Sequence, residues 1–141
     1  EIVSTLERAR VLTLGKEQNQ VEFVLLQNSS TGEYRAQIYQ GGTIVSDRIV
    51  GKEPITIQVY FDDDSTDSTP YNLSQLKGTL PYASATDGLH LVFNRASGAF
   101  EEKTCAAADA VKDYCKKIVI SNGTRTITIT TVGRTGKILK K

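Results

Sequence analysis

The sequence predicts an α+β fold in which one N-terminal α-helix packs on antiparallel β-sheets of about seven strands. Three observations support this class. Apolar residues recur with a helical period over residues 2–17, and from Val21 onward the period becomes two. Turn-forming residues separate the alternating stretches, and no long helical pattern lies between successive strands. That arrangement argues against a parallel sheet.

The helical pattern places Ile2, Leu6, Ala9 and Thr13 close to one face. Leu, Glu, Arg, Ala and Lys, which dominate this stretch, are good helix formers. We therefore expect a helix over residues 2–17. The chain would divide into a helical segment at 1–20 and a β-rich head at 21–141.

The head shows seven stretches of alternating residues, and the first four are expected to follow one another as a meander. Gly41-Gly42 and Asn122-Gly123 are two-residue hairpin signals, so Ile118 and Ile120 should pair with Ile127 and Ile129. The polar stretch at 62–88 predicts a long loop or an irregular insertion that can hold one short helical turn, and residues 105–115 are helix-prone but short. The expected strands are 21–26, 33–40, 43–50, 55–61, 89–94, 117–121 and 124–132.

The two cysteines, Cys105 and Cys115, are compatible with one disulfide in an exported protein and equally with two free thiols. If 105–115 were a straight helix, the two Cα atoms would lie ~15 Å apart, which is too far for a disulfide. A disulfide therefore requires a bent or looped segment.

Charge is distributed unevenly along the chain, although the net charge is only +1. From Cys115 onward there are seven basic residues, and all 16 acidic residues precede Cys115. Such asymmetry indicates contact with a polyanion or a membrane surface, or else a solvated basic tail that protects an edge strand. The candidate DNA-binding residues at this end are Arg134, Lys137, Lys140 and Lys141.

Signatures of catalysis are absent from the sequence, and the chain is predicted not to be an enzyme and to need no cofactor. The GxxGK at 133–137 is too short for a phosphate-binding P-loop, which needs four residues between its glycines. No GxSxG elbow occurs. His90 is the single histidine; a Cys-His dyad with Cys105 or Cys115 is conceivable, but an ordinary strand residue is the simpler interpretation.

The acidic stretch at 62–69 offers oxygen ligands from Asp62, Asp64, Thr66 and Asp67. An EF-hand would need Gly where Asp67 stands, and Glu six residues later. A hydrated acidic loop is therefore favoured, and no metal site is predicted. An exported β-rich module that binds calcium or another ligand at 62–69 stays an alternative.

The opening STLERARVLTLGKEQNQVEFVLL resembles the start of the soluble part of GspH/FimT-type minor pilins and pseudopilins. The residues that match the family pattern are Leu6, Ala9, Arg10, Asn19 and Val21. KIVISNGTRTITITTVGRTGKI is similar to the closing hairpin of the family, and LHLVFNRASGAF is similar to the segment before it. The resemblance covers roughly half of the chain and implies a pilin-like fold.

This resemblance implies a structural subunit of a type IV pilus or a type II secretion pseudopilus. Its partners would be other pilin subunits, reached through the N-terminal helix, and the membrane, reached through a hydrophobic segment upstream. Because the chain begins at Glu1 and contains no Met, we expect the natural N-terminus and its anchor to lie upstream. The protein would be anchored in the inner membrane before assembly and then reach the periplasm or the cell surface.

Some members of the family bind DNA through a C-terminal GRxR motif, and DNA uptake is therefore an alternative role. The matching residues here are Gly133, Arg134, Thr135 and Gly136, so the second arginine is replaced by Gly136. The cysteine pair is similar to the disulfide-bounded loop of many pilins, although its spacing is short for that comparison.

Overall fold

The computed structural model describes residues 2–15, 21–28, 30–40, 43–52, 54–61, 70–78, 87–94, 97–101, 104–107, 110–112, 115–132 and 137–140. Within these ranges the chain forms one α-helix, one short 3-10 turn and twelve strands. The helix is α1 (Ile2–Gly15), and the 3-10 turn is Leu73–Gln75. The strands are β1 (Val21–Gln27), β2 (Glu33–Gln40), β3 (Thr43–Lys52), β4 (Thr56–Phe61), β5 (Tyr71–Asn72), β6 (Leu76–Gly78), β7 (Leu89–Val92), β8 (Cys105–Ala107), β9 (Ala110–Lys112), β10 (Cys115–Ser121), β11 (Thr126–Val132) and β12 (Lys137–Lys140).

The strands form three antiparallel sheets. Sheet A has the order β3-β2-β1-β7, sheet B has the order β12-β11-β10-β4-β5, and sheet C has the order β6-β8-β9. The main hydrophobic cluster draws alternate residues from sheets A and B. Phe23 and Leu25 contribute from β1, while Val59 and Phe61 contribute from β4. Side chains on the two inner faces therefore form one core, as expected when strands alternate inward and outward.

The predicted α+β class is wrong, because strands dominate the described chain and form three sheets rather than a pilin-like helix-on-sheet fold. α1 does occupy most of the predicted range 2–17, and residues 16–20 lie outside the described part. The helix-prone segment 105–115 holds two short strands, β8 and β9. An isolated helix of this length is marginal in water, and pairing β8 with β6 satisfies the backbone instead.

The predicted meander of the first four strands is correct for β1 to β3 and wrong for β4. β4 leaves sheet A and pairs with β10 in sheet B, while β7 takes the place beside β1. The basic end also forms a strand, β12, beside β11. The β1–β7 and β4–β10 pairings join segments far apart in sequence, so local periodicity does not specify them.

The predicted C-terminal hairpin is confirmed. Ile118 pairs with Ile129, and Ile120 pairs with Ile127. The Asn122 side-chain oxygen accepts hydrogen bonds from the backbone N–H of Thr124 at 3.1 Å and of Arg125 at 2.8 Å. Gly123 has φ +93°, a conformation that favours glycine. The turn chemistry therefore sets the register of this hairpin.

Candidate functional site

The two described lysines of the predicted basic site lie on opposite faces of β12. Lys137 pairs with Val132 and Lys140 with Ile129. Successive strand residues alternate between faces, so side chains three apart diverge. Arg134 and Lys141 lie outside the described residues. β12 thus does not present Lys137 and Lys140 as one patch. DNA binding stays a prediction, and a gel-shift titration with these lysines neutralised tests it.

Lys137 shares its face of sheet B with Lys117 rather than with Lys140. Lys117 pairs with Tyr60 on one side and with Thr130 on the other. Its Nζ lies 4.5 Å from the centroid of the Tyr60 ring, a cation-π geometry. The basic C-terminal sequence contains no aromatic residue after Cys115. The sheet pairing supplies one from β4, which sequence reasoning missed.

Cys105 and Cys115 are both buried, and both are free thiols in the structure. Cys105 begins β8, and its Sγ donates to the backbone oxygen of Gly88 at 3.6 Å. Cys115 begins β10, and its backbone oxygen accepts from Thr131 Oγ1 at 2.5 Å. The pair that the sequence offers as a candidate disulfide is therefore held in two separate hydrogen-bonded settings.

Burial raises the pKa of the Cys105 thiol from 9.0 to about 11, and Glu22 adds to the rise, while backbone hydrogen bonds oppose it. The thiolate is the nucleophilic form of cysteine. At neutral pH this thiol is almost entirely protonated and enclosed. The Cys-His dyad considered from the sequence therefore lacks an activated nucleophile at Cys105.

A deeply buried polar contact joins Glu22 of β1 to His90 of β7. His90 Nδ1 donates to Glu22 Oε1 at 2.5 Å, and the side chains are 0% and 3% exposed. Their strands pair in register, with Val24 opposite His90. The backbone oxygen of His90 also accepts from Thr104 Oγ1 at 2.7 Å. A carboxylate, an imidazole and a hydroxyl thus form a hydrogen-bonded group inside the protein.

Sequence reasoning treated His90 as an ordinary strand residue and gave Glu22 no role. A signal was present. β1 is buried at five consecutive residues and β7 at all four, as in strands covered on both faces. Each strand holds one ionisable residue in an apolar run. A buried ionisable group needs a partner, so two such groups in apolar strands predict each other.

The acidic stretch at 62–69 lies outside the described residues, and so do residues 79–86. In the described ranges no group of three or more His, Cys, Asp or Glu residues is placed to hold a metal ion.

α1 spans about 21 Å at ~1.5 Å per residue, shorter than the ~30 Å bilayer core. The described part of the chain contains no other helix that would reach across.

No family model, no characterised protein and no solved structure matches this chain at a significant level. The functional argument therefore depends on the residues themselves and on the resemblance that they carry.

Proposed function

We propose that this chain is a structural minor pilin or pseudopilin, a subunit of a type IV pilus or of a type II secretion pseudopilus. The architecture of the head is mostly β, so the proposal does not depend on a helix-on-sheet class. It depends on how the segments that resemble the family are arranged, and above all on α1.

One observation carries the proposal: Ala9 and Val21, two of the five residues that match the family pattern, are buried in the same core cluster. They are 0% and 1% exposed. Ala9 lies in α1 and Val21 opens β1, so the pattern joins the helix to the first strand. Because both segments pack in one core, apolar residues recur in the helix up to Gly15 and again in the strand from Val21.

The two sides of α1 have different surroundings, which suits a helix with one intramolecular and one intermolecular face. Ile2, Thr5 and Ala9 are buried, whereas Glu7 and Arg8 are exposed. Residues three and four apart share a helix face, so the buried set forms one stripe. The helix contacts β1, β2 and β12 through its packed side. On the other side, Arg8 Nη1 donates to Ser46 Oγ of β3 at 3.4 Å, and Glu7 is exposed and available to a neighbouring helix.

Two further segments that resemble the family lie in the body of the head. LHLVF supplies β7, which pairs with β1, and the closing segment supplies the β10–β11 hairpin at the centre of sheet B. Both segments supply strands that build the sheets of the head. They support the proposal that the head is a packing unit rather than a catalytic one. The setting would be the periplasm or cell surface, with anchoring through a segment upstream.

Site-specific photocrosslinking in the cells that produce the full-length protein tests this proposal. A photocrosslinking amino acid at Glu7 should yield crosslinks to other pilin subunits in sheared fibres. The matched control places the same group at Thr124, which is exposed at the tip of the β10–β11 hairpin. Crosslinks at Thr124 but none at Glu7, or no pilin among the products, would refute the assignment of α1 as the packing helix.

A further inference from the structure

A cleft of about 460 Å³ lies where the end of sheet A meets the edge of sheet B. Its volume is within the range of roughly 300–1,000 Å³ that is typical of small-molecule sites. Three parts of the chain build it: the end of β1 with the start of β2, the residues that lead into β4 with the start of β4, and β5 with the 3-10 turn that follows. The lining residues are Gln27, Tyr34, Pro54, Ile55, Thr56, Ile57, Asn72, Leu73 and Ser74.

The cleft exists because β5 is too short to cover the whole of β4. β5 pairs with β4 only at Gln58 and Val59. The chain then enters the 3-10 turn, where Gln75 Oε1 accepts from the Asn72 backbone N–H at 2.7 Å. That bond holds Asn72 at the mouth of the cleft. The beginning of β4, at Thr56 and Ile57, is thereby left as a wall.

The floor of the cleft is apolar and belongs to the core. Tyr34, Ile57 and Leu73 are only 6%, 3% and 3% exposed. Tyr34 pairs across the strands with Gly51. A Cβ added to Gly51 would lie 3.7 Å from Tyr34 Cδ2 and 3.5 Å from Ile55 Cδ1. Both distances are ordinary van der Waals contacts, so Tyr34 and Ile55 flank Gly51 and together complete the floor.

The rim of the cleft is polar and uncharged. Gln27 and Asn72 carry amides, and Thr56 and Ser74 carry hydroxyls. The Thr56 hydroxyl donates to the Ser121 backbone oxygen at 3.3 Å, so it offers a ligand an acceptor. None of the described lining residues is charged. A charged ligand would lose its hydration here without gaining a partner, so the cleft favours a neutral one.

We propose that this cleft binds a neutral saccharide unit that carries an acetamido group. A pyranose ring has an apolar face of C–H groups, which suits the Tyr34 ring and the aliphatic floor. Its hydroxyl groups donate and accept, as the rim residues do. The acetamido group combines a methyl for the floor with an amide that matches Gln27 and Asn72. This site is independent of α1 and of the packing role proposed for it.

Backbone amide NMR during titration with N-acetylglucosamine tests the site. Saturable shifts are expected at Gln27, at 55–57 and at 72–74, with the hairpin tip at 122–125 unmoved. Glycerol, a neutral polyol without a ring, should leave the same amides unmoved at equal concentration. The proposal is overturned if N-acetylglucosamine causes no saturable shift, or if glycerol reproduces its shifts.

Two variants locate the binding. Thr56→Trp fills the wall of the cleft, and the expected weakening is at least tenfold. Thr126→Trp is its matched control, because both threonines are exposed and both pair with Ser121; its affinity should be that of the parent chain. The Asn72 side chain also accepts a hydrogen bond from the Gln75 backbone N–H, which forms a capping box. Asn72→Ala removes that bond together with one rim amide, keeps the bond from the Asn72 backbone N–H to Gln75 Oε1, and should weaken binding about fivefold. If both Asn72→Ala and Thr56→Trp bind N-acetylglucosamine as tightly as the parent chain does, the site is refuted.

Discussion

Removing one member of the buried Glu22–His90 pair should strongly destabilise the protein. The change we propose is Glu22→Leu, which fills a similar volume but removes both carboxylate oxygens. His90 Nδ1 then loses its partner at 2.5 Å in a position that is 0% exposed. Water cannot replace the lost hydrogen bond there, because the pair lies between strands that are buried on both faces.

The expected cost follows from the burial of both groups. Removing one partner of a buried ion pair costs about 3–5 kcal/mol. The variant removes the bond from the buried His90 ring to Glu22, so we expect a value at the lower end of this range, about 3 kcal/mol. For a chain of this length that corresponds to a fall in Tm of roughly 9 °C.

A double-mutant cycle measured by urea unfolding at neutral pH gives the coupling directly. It compares Glu22→Leu, His90→Leu and the double variant with the parent chain. The double variant should be more stable than the sum of the single losses predicts, by about 2 kcal/mol, because each single variant already removes the Glu22–His90 contact and the double variant can lose it only once. Glu33→Leu is the control: its bridge to Arg35 is 3.8 Å long and partly exposed, so its loss should cost less than about 1 kcal/mol.

Additive single losses, with a coupling energy below about 0.5 kcal/mol, would refute the reasoning. So would a Glu22→Leu variant that unfolds at the same urea concentration as Glu33→Leu. Either result would mean that the two side chains are solvated or separated in solution, and that burial of the pair does not contribute to folding.

Two further predictions concern single residues. Gly88→Ala should cost more than about 3 kcal/mol in urea unfolding, because its Cβ would lie 2.6 Å from the Leu25 backbone oxygen at φ +140°. Gly123→Ala should cost only about 1 kcal/mol, since nothing lies within 4 Å of its added Cβ; equal losses would contradict this explanation. Burial raises the pKa of the Cys105 thiol from 9.0 to about 11, so the folded state holds this proton more tightly than the unfolded chain does. The resulting contribution to the free energy of unfolding should be complete below pH ~9 and should be lost as the pH rises toward ~11. Urea unfolding across this pH interval should show that the parent chain loses about 3 kcal/mol more unfolding free energy than Cys105→Ala does. If the two chains give parallel pH profiles, the effect is excluded.

Much of the local structure follows from sequence pattern. The helical period predicts α1, and alternation predicts the strands that became β1 to β4, β7, β10 and β11. The C-terminal hairpin was predictable in detail, because Asn122 and Gly123 specify the turn and thereby the pairing of Ile118 with Ile129. These features depend on interactions between residues close together in the chain, so a short stretch of sequence is enough to predict them.

Local sequence pattern did not predict the short strands of sheet C, and it did not predict the fold class. Residues 105–115 have helical propensity, yet Cys105 pairs with Gly78 and with Lys112. Tertiary pairing overrides propensity in short segments, because a few helical residues contribute little stability on their own. The predicted helix-on-sheet class failed for the same reason, since it counted only strands with a strong local signal.

In the candidate sites, too, some properties can be read from the sequence and others depend on the tertiary structure. The charge asymmetry of the C-terminal end is a property of the sequence alone, and so is the presence of one ionisable residue in each of two apolar strands. Which groups meet is decided by strand pairing: β4 brings Tyr60 to Lys117, and β7 brings His90 to Glu22. The cleft near Tyr34 likewise depends on how far β5 extends along β4.

By itself, then, the sequence determined the helix, the strongest strands and the turn of the last hairpin, because those depend on residues close together in the chain. The tertiary structure alone decided that β4 joins β10 rather than β3, that Lys137 and Lys140 diverge, and that Glu22 meets His90. Contacts between distant segments depend on which apolar faces can be buried together, and that is a property of the whole chain.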